Sequence, residues 1–240
     1  SVAIFIAAVI EIPGRAMFQI VNPIVAKLIN ENDNKRLIVL LKKSSNNLLL
    51  VSGLFFLLII LNLDDFYNWS NLNEYKSAIE VVYIVSLAKL FSVSLGCLNN
   101  IITNSKYYVY VFWFSIISAF LAVILNYYLI PLNGILGAAV ATLIVILSIN
   151  LGKLILIQIK YKASPYNSKT ILSVLLIGII YVSIINLKDL MIFDNIVDYS
   201  PIYKITLRSL LITIVYVFLS YLFGLTKDFQ EAILQFRKKT

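Results

Sequence analysis

Apolar residues run in long, nearly uninterrupted stretches along this chain, and seven of these stretches predict membrane-spanning helices. At about 1.5 Å per residue, each is long enough to cross a hydrocarbon core about 30 Å thick. Strands are not expected, because a membrane barrel shows alternating hydrophobicity rather than continuous runs. The predicted segments are approximately Ser1–Ile29, Asn47–Leu63, Ala78–Thr103, Tyr110–Ile130, Ile135–Ile159, Ile171–Leu187 and Leu207–Leu225.

Basic residues alternate between the connections that join these segments. The first, third and fifth connections carry lysine or arginine at Lys35–Lys43, Lys106 and Lys160–Lys169, and the C-terminal tail is also basic. The second, fourth and sixth connections are acidic, balanced or uncharged. Because short cytoplasmic loops collect lysine and arginine, the odd connections and the C-terminus are predicted to be cytoplasmic.

Composition fits a multi-pass membrane protein and excludes several classes of function. Of 240 residues, 60% are hydrophobic and 13% charged, against about 25% charged in soluble domains, and the mean hydropathy is +0.91. The sequence has no histidine and one cysteine, Cys97, so disulfide frameworks, zinc sites and Ser–His or Cys–His catalysis are excluded. We expect no cofactor, no bound metal and no enzymatic activity. The net charge is +8, and most of the basic residues lie between the apolar runs. This position favours membrane lipids over nucleic acid as the partner of the basic residues.

Lys89 is the most informative polar residue, because it lies near the middle of the third segment. A lysine at that depth costs about 2.5–3.5 kcal/mol on insertion scales, so its presence needs a physical reason. Polar and small residues recur near the same side of the predicted helix at Ser86, Ser92, Gly96, Asn99 and Thr103. Lys89 is therefore predicted either to line a cavity and meet an anionic group, or to pair with a carbonyl or carboxylate of another helix.

Glu11 and Arg15 form a second polar pair, four residues apart in the order that favours a helical ion pair. Pro13 and Gly14 lie between them and predict a kink. Freed backbone groups at membrane depth need protein or water around them. The pair is interpreted either as part of a substrate-facing break or as a self-neutralised pair at a structural kink.

Residues 126–142, NYYLIPLNGILGAAVAT, combine a predicted tight turn with small residues at helical spacing. The matching positions Asn126, Ile130–Pro131, Gly134–Ile135, Gly137–Ala139 and Ala141–Thr142 resemble the polysaccharide flippases of the multidrug/oligosaccharidyl-lipid/polysaccharide exporter superfamily. The proline-broken run Ile10–Leu37 and the patterned run Ser86–Tyr108 are similar to the same family.

This resemblance implies an all-α, polytopic bundle that forms the C-terminal lobe of a two-lobe exporter fold. Residues 1–160 would form an incomplete core lobe, and residues 161–240 two additional helices with a cytoplasmic tail. Because the chain begins with Ser1 inside an apolar run, it is interpreted as a fragment, with an N-terminal lobe as its missing partner. The tail residues Asp228–Arg237 are interpreted either as a short surface helix or as a solvated segment.

The resemblance also implies a function, which is translocation of an undecaprenyl-pyrophosphate-linked oligosaccharide across a bacterial plasma membrane. Alternating access of two lobes is the implied mechanism, with a proton or sodium ion as the implied coupling ion. Lys89 and then Arg15 are the first candidates for the pyrophosphate, with Glu11 beside them. Asn99 and Asn100 are candidates for sugar or headgroup hydroxyls. Ala7–Ala8 stand where the related lipid II flippases carry an Asp–Arg pair, which disfavours lipid II as the substrate.

Three other functions remain open from the sequence. A cation-coupled multidrug exporter of the same superfamily would use Glu11 as its deep acid. A membrane enzyme of polysaccharide assembly would need a catalytic carboxylate pair. The candidate pair is Asp64–Asp65, which lies at a segment end typical of a solvated turn. A purely structural membrane subunit is the third alternative.

Overall fold

The computed structural model describes residues 2–70, 79–189 and 201–226, and every regular element within these ranges is helical. A 3-10 turn, Val9–Glu11, joins the first two helices. The eight helices are α1 (Val2–Ala8), α2 (Ile12–Asn30), α3 (Asn34–Trp69), α4 (Ile79–Ser94), α5 (Leu98–Asn104), α6 (Val109–Tyr161), α7 (Ser168–Asp189) and α8 (Pro201–Leu222). The predicted all-α class is thus confirmed. The interpretations of the tail Asp228–Arg237 fall outside the described residues.

Within the described residues, five stretches are long and apolar enough to cross a membrane, and a sixth is added if the bent pair α4–α5 counts as one span. These properties fit a multi-pass membrane helix bundle. The five are Val2–Asn30, α3, α6, Ser168–Asn186 within α7, and α8.

Helix α3 is the centre of the bundle and packs against α2, α4, α7 and α8. It begins 13 residues before the predicted second segment, since Asp33 caps its N-terminus by accepting a hydrogen bond from the Arg36 amide at 3.0 Å. At 36 residues it is longer than a bilayer core requires. One hydrophobic cluster joins α3 to α7 and α8 through Leu49, Leu57, Ile177 and Ile212.

The predicted third segment is not a single straight helix, which corrects the sequence interpretation. It divides into α4 and α5, which bend by 56° around Leu95–Cys97. Gly96 adopts a φ of +61° there, a conformation that L side chains rarely adopt. A polar stripe drawn along one continuous helix from Ser86 to Thr103 is therefore wrong, because the bend separates its two halves.

Helix α6, which spans 53 residues, reverses direction near its centre. Gly134 has non-helical backbone angles (φ 56°, ψ −133°). Gly137 lies directly against the Leu129 carbonyl, and a Cβ on Gly152 would lie 2.9 Å from the Phe114 ring. The contacts Leu129–Gly137 and Phe114–Gly152 have the same midpoint in the sequence, residue 133, as expected for two antiparallel segments. Helix α6 is therefore a helical hairpin with two arms.

Candidate functional site

The 3-10 turn between α1 and α2 holds the first charged group of the site. Pro13 lacks an amide hydrogen, and its ring would clash with the carbonyl four residues earlier, at Val9. A 3-10 turn, Val9–Glu11, ends two residues before the proline. Ala8, Glu11 and Ile12 all keep right-handed helical backbone angles, and Val2–Asn30 counts as one candidate span, so the kink at Pro13–Gly14 stays a prediction. Glu11 lies at the end of the turn with a quarter of its side chain exposed.

Glu11 joins two cations. Its Oε1 atom lies 2.9 Å from Lys89 Nζ on α4, and its Oε2 atom lies 3.7 Å from Arg15 Nη2 on α2. The Lys89 side chain is 25% exposed, whereas that of Arg15 is 70% exposed. The three predicted charges thus form one cluster with an excess of one positive charge, and Arg15 is its accessible edge.

The pairing of Lys89 with a carboxylate on another helix is one of the two interpretations that the sequence left open. It explains how a lysine is tolerated within an apolar helix. The pairing still leaves Lys89 and Glu11 partly exposed, so a ligand can reach them. Arg15 adds a second cation beside Glu11.

Arg15 begins a polar face along α2 that the sequence analysis missed. Arg15, Gln19 and Asn22 are exposed and follow Glu11 at spacings of four, four and three residues, which places them on one side of the helix. From Glu11 to Asn22 this face is about 16 Å long. The spacing could have been found in the sequence, but Pro13 and Pro23 obscured the helical periodicity.

Asparagines of α5 meet the far end of this face. Asn22 Oδ1 accepts hydrogen bonds from Asn100 Nδ2 at 3.2 Å and from Asn104 Nδ2 at 2.9 Å. Asn99 is exposed on the same short helix, and its carbonyl accepts a hydrogen bond from Thr103. The predicted residues Asn99 and Asn100 therefore lie beyond the α4–α5 bend, next to Asn22 rather than in the Glu11 cluster.

The bend itself is held by serines of α3. Ser44 Oγ accepts a hydrogen bond from the Cys97 amide at 3.0 Å, and Ser45 Oγ donates to the Ser94 carbonyl at 2.5 Å. Ser94 Oγ also lies 3.2 Å from the hydroxyl of Tyr166, in the α6–α7 connection. Burial raises the pKa of Tyr166, so this hydroxyl stays protonated at neutral pH. These contacts satisfy backbone groups that the break would otherwise leave bare.

A second charge pair lies between α3 and α8, away from the predicted site. Arg208 is buried, and its Nη1 atom lies 2.7 Å from Asp65 Oδ2 and 2.8 Å from the Leu61 carbonyl. The sequence interpretation of Asp64–Asp65 as part of a solvated turn was wrong for Asp65, which lies within α3 with its side chain 16% exposed. The predicted topology places Asp65 and Arg208 at the same face of the membrane. Their contact could have been predicted from that placement and their opposite charges.

No family model, curated protein or solved structure matches this chain. The resemblance to polysaccharide flippases thus stays a prediction that rests on the quoted residues. The geometry on which a function can be argued is the polar face of α2, with Lys89 at one end and the asparagines of α5 at the other.

Proposed function

We propose that this chain is the C-terminal part of a flippase that moves an undecaprenyl-pyrophosphate-linked oligosaccharide across a bacterial plasma membrane. The observation that carries the proposal is the Glu11–Lys89–Arg15 cluster at the 3-10 turn that joins α1 to α2. Charged groups within membrane spans mark substrate pathways.

The excess positive charge of the cluster suits an anionic substrate group. A pyrophosphate would first meet the exposed guanidinium of Arg15 and then compete with Glu11 for Lys89. Glu11 thus acts as an internal anion that keeps the two cations together when no substrate is bound. Charge-assisted hydrogen bonds to a multiply charged phosphate would exceed those to one carboxylate.

The uncharged part of the polar face suits sugar hydroxyls. Gln19, Asn22, Asn100 and Asn104 offer amide donors and acceptors along the side of α2 that Arg15 begins. A substrate lying along this face would place its pyrophosphate at Arg15 and its sugars towards α5. Translocation would follow the alternating-access scheme, with no covalent chemistry.

A seven-span topology is part of this proposal. The hairpin of α6 supports it, because each of the two arms that meet at Gly134 is long enough to cross the bilayer. With both arms counted as spans and α4–α5 as one, the basic connections lie on one side and the C-terminus is cytoplasmic. Glu11 between two cations is a poor acceptor for cationic drugs, which argues against the multidrug exporter.

The test begins with deletion of the full-length gene, followed by measurement of surface polysaccharide and of lipid-linked repeat units in the membrane. Loss of surface glycan with lipid-linked units accumulating on the cytoplasmic side is the expected result. Unchanged glycan with new sensitivity to cationic drugs would instead support the exporter.

Complementation then tests the cluster. Lys89→Ala, Lys89→Glu and Arg15→Ala should fail to restore surface glycan at normal protein levels. Lys106→Ala, which removes an exposed lysine from the third connection, should restore it and serves as the matched control. Full activity of both Lys89 variants would refute the role proposed for this residue.

A further inference from the structure

The turn between α2 and α3 forms an open groove that the proposed transport site does not include. The C-terminal half of α2 and the N-terminal turns of α3 enclose a volume of about 740 Å³. Its polar lining contains four cations, Lys27, Lys35, Arg36 and Lys43, and one carboxylate, Glu31. The groove therefore has a strong excess of positive charge over an otherwise apolar lining.

Two ion pairs at the groove, those of Lys27 and Arg36, are weak and open to exchange. Lys27 Nζ lies 3.8 Å from Glu31, and Arg36 Nε lies 3.3 Å from Asp33 just outside the groove. Both cationic side chains are about three-quarters exposed. Exposed pairs of this kind stabilise a protein by about 0–1 kcal/mol, so a phosphate group can take their place at little cost.

Apolar residues continue from the cations along both helices. Pro23, Ile24 and Leu28 form the α2 wall, and Val39 and Leu40 form the α3 wall. Ile24 and Val39 are 42% and 53% exposed, and Ile20, one turn further along α2, is 68% exposed. The groove thus joins a cationic end to an apolar surface that leads into the apolar part of the two helices.

The position along the helices fits the headgroup layer of a bilayer. The nearly uncharged run of α3 begins after Lys43, so the turns before it extend about 15 Å beyond the apolar run. Basic grooves between transmembrane helices bind anionic headgroups at this level. A soluble anion would be recognised by the cations alone and would leave the apolar walls bare.

We propose that the α2–α3 groove binds one anionic glycerophospholipid, with its phosphate between Lys35, Arg36 and Lys43 and its acyl chains along Ile24 and Val39. The site is independent of the transported substrate. Its occupant holds the turn between α2 and the central helix α3.

The test uses the full-length protein, purified in a neutral detergent and titrated with phosphatidylglycerol or phosphatidylcholine of identical acyl chains. Lipid retention is read by native mass spectrometry, and the midpoint of thermal unfolding is read in parallel. We expect phosphatidylglycerol to be retained and to raise the midpoint, and phosphatidylcholine to do neither.

Two triple variants separate a built site from general charge. Lys35→Gln/Arg36→Gln/Lys43→Gln should weaken phosphatidylglycerol binding by about tenfold to a hundredfold. Lys106→Gln/Lys160→Gln/Lys162→Gln, which removes the same charge from other exposed connections, should leave it unchanged. Lys35→Arg/Lys43→Arg should retain binding, which separates loss of charge from loss of fold.

Three results would overturn the proposal. These are equal retention of the two lipids, equal losses in the two glutamine triples, and protection by inorganic phosphate equal to that by phosphatidylglycerol. The last result would assign the groove to a soluble anion.

Discussion

Arg208 on α8 donates a hydrogen bond to the carboxylate of Asp65 on α3 across 2.7 Å, although 143 positions separate the two residues in the sequence. The Arg208 side chain is 3% exposed and that of Asp65 is 16% exposed. With the Leu61 carbonyl as a second acceptor, this pair fixes α8 to the central helix. Removing either partner alone leaves the other charge in an apolar bundle.

We therefore expect Arg208→Leu to lower the free energy of unfolding by about 3 kcal/mol, below the upper end for buried pairs because Asp65 is partly exposed. Unfolding can be followed by circular dichroism as the protein is titrated from mild detergent into sodium dodecyl sulfate. Arg15→Leu is the control, since its 3.7 Å pair is exposed and should contribute less than about 1 kcal/mol. Equal effects of the two substitutions would contradict the assignment.

The bend between α4 and α5 gives a second prediction. A Cβ on Gly96 would lie 2.5 Å from both Ser44 Oγ and the Ser45 amide, at a positive φ. Gly96→Ala should lower the free energy of unfolding by about 2–4 kcal/mol through backbone strain and overpacking. Gly178→Ala on α7 is the matched control, because a Cβ there meets open space. The control should be neutral or stabilising by up to about 1 kcal/mol.

A double-mutant cycle tests the contact between Glu11 and Lys89. Glu11→Gln leaves Lys89 and Arg15 without their shared carboxylate, and Lys89→Met leaves Glu11 with the weaker partner. The double variant should recover part of both losses, with a coupling energy of about 1–2 kcal/mol measured by the same unfolding titration. Additive losses would mean that the 2.9 Å contact contributes nothing to stability.

Labelling from one side of the membrane tests the hairpin in α6. In a Cys97→Ala background, Asn133→Cys at the turn should react with an impermeant maleimide on intact cells. Lys162→Cys, at the end of the second arm, should react only after permeabilisation. Labelling of both from the same side would show that the second arm does not cross the membrane.

The sequence predicted the helices well because a membrane selects for long apolar runs, and these are visible without tertiary information. It also placed Lys89, Glu11 and Arg15 among the candidate residues, because each is costly at membrane depth. It could not show that Glu11 is the partner of Lys89, since that contact depends on how α1, α2 and α4 pack together.

The errors have physical causes too. The bend at Gly96 was missed because Leu95–Cys97 are apolar or small, and the serines that hold the bend lie about 50 residues earlier, on α3. The pair of Arg208 with Asp65 was not predicted, because the two residues lie 143 positions apart in the sequence. Hydropathy indicates whether a residue lies within an apolar span. It does not indicate which residue of another helix lies beside it.

The Asp65–Arg208 pair has a consequence for biosynthesis. At about 5–20 residues per second, the ribosome needs roughly 7–30 s to add the 143 residues that separate Arg208 from Asp65. During that interval α3 has left the ribosome, but Arg208, the partner of Asp65, has not yet been made. Asp65 must remain hydrated or be shielded by the insertion machinery until then, so the packing of the central helix is complete only after α8 has been made.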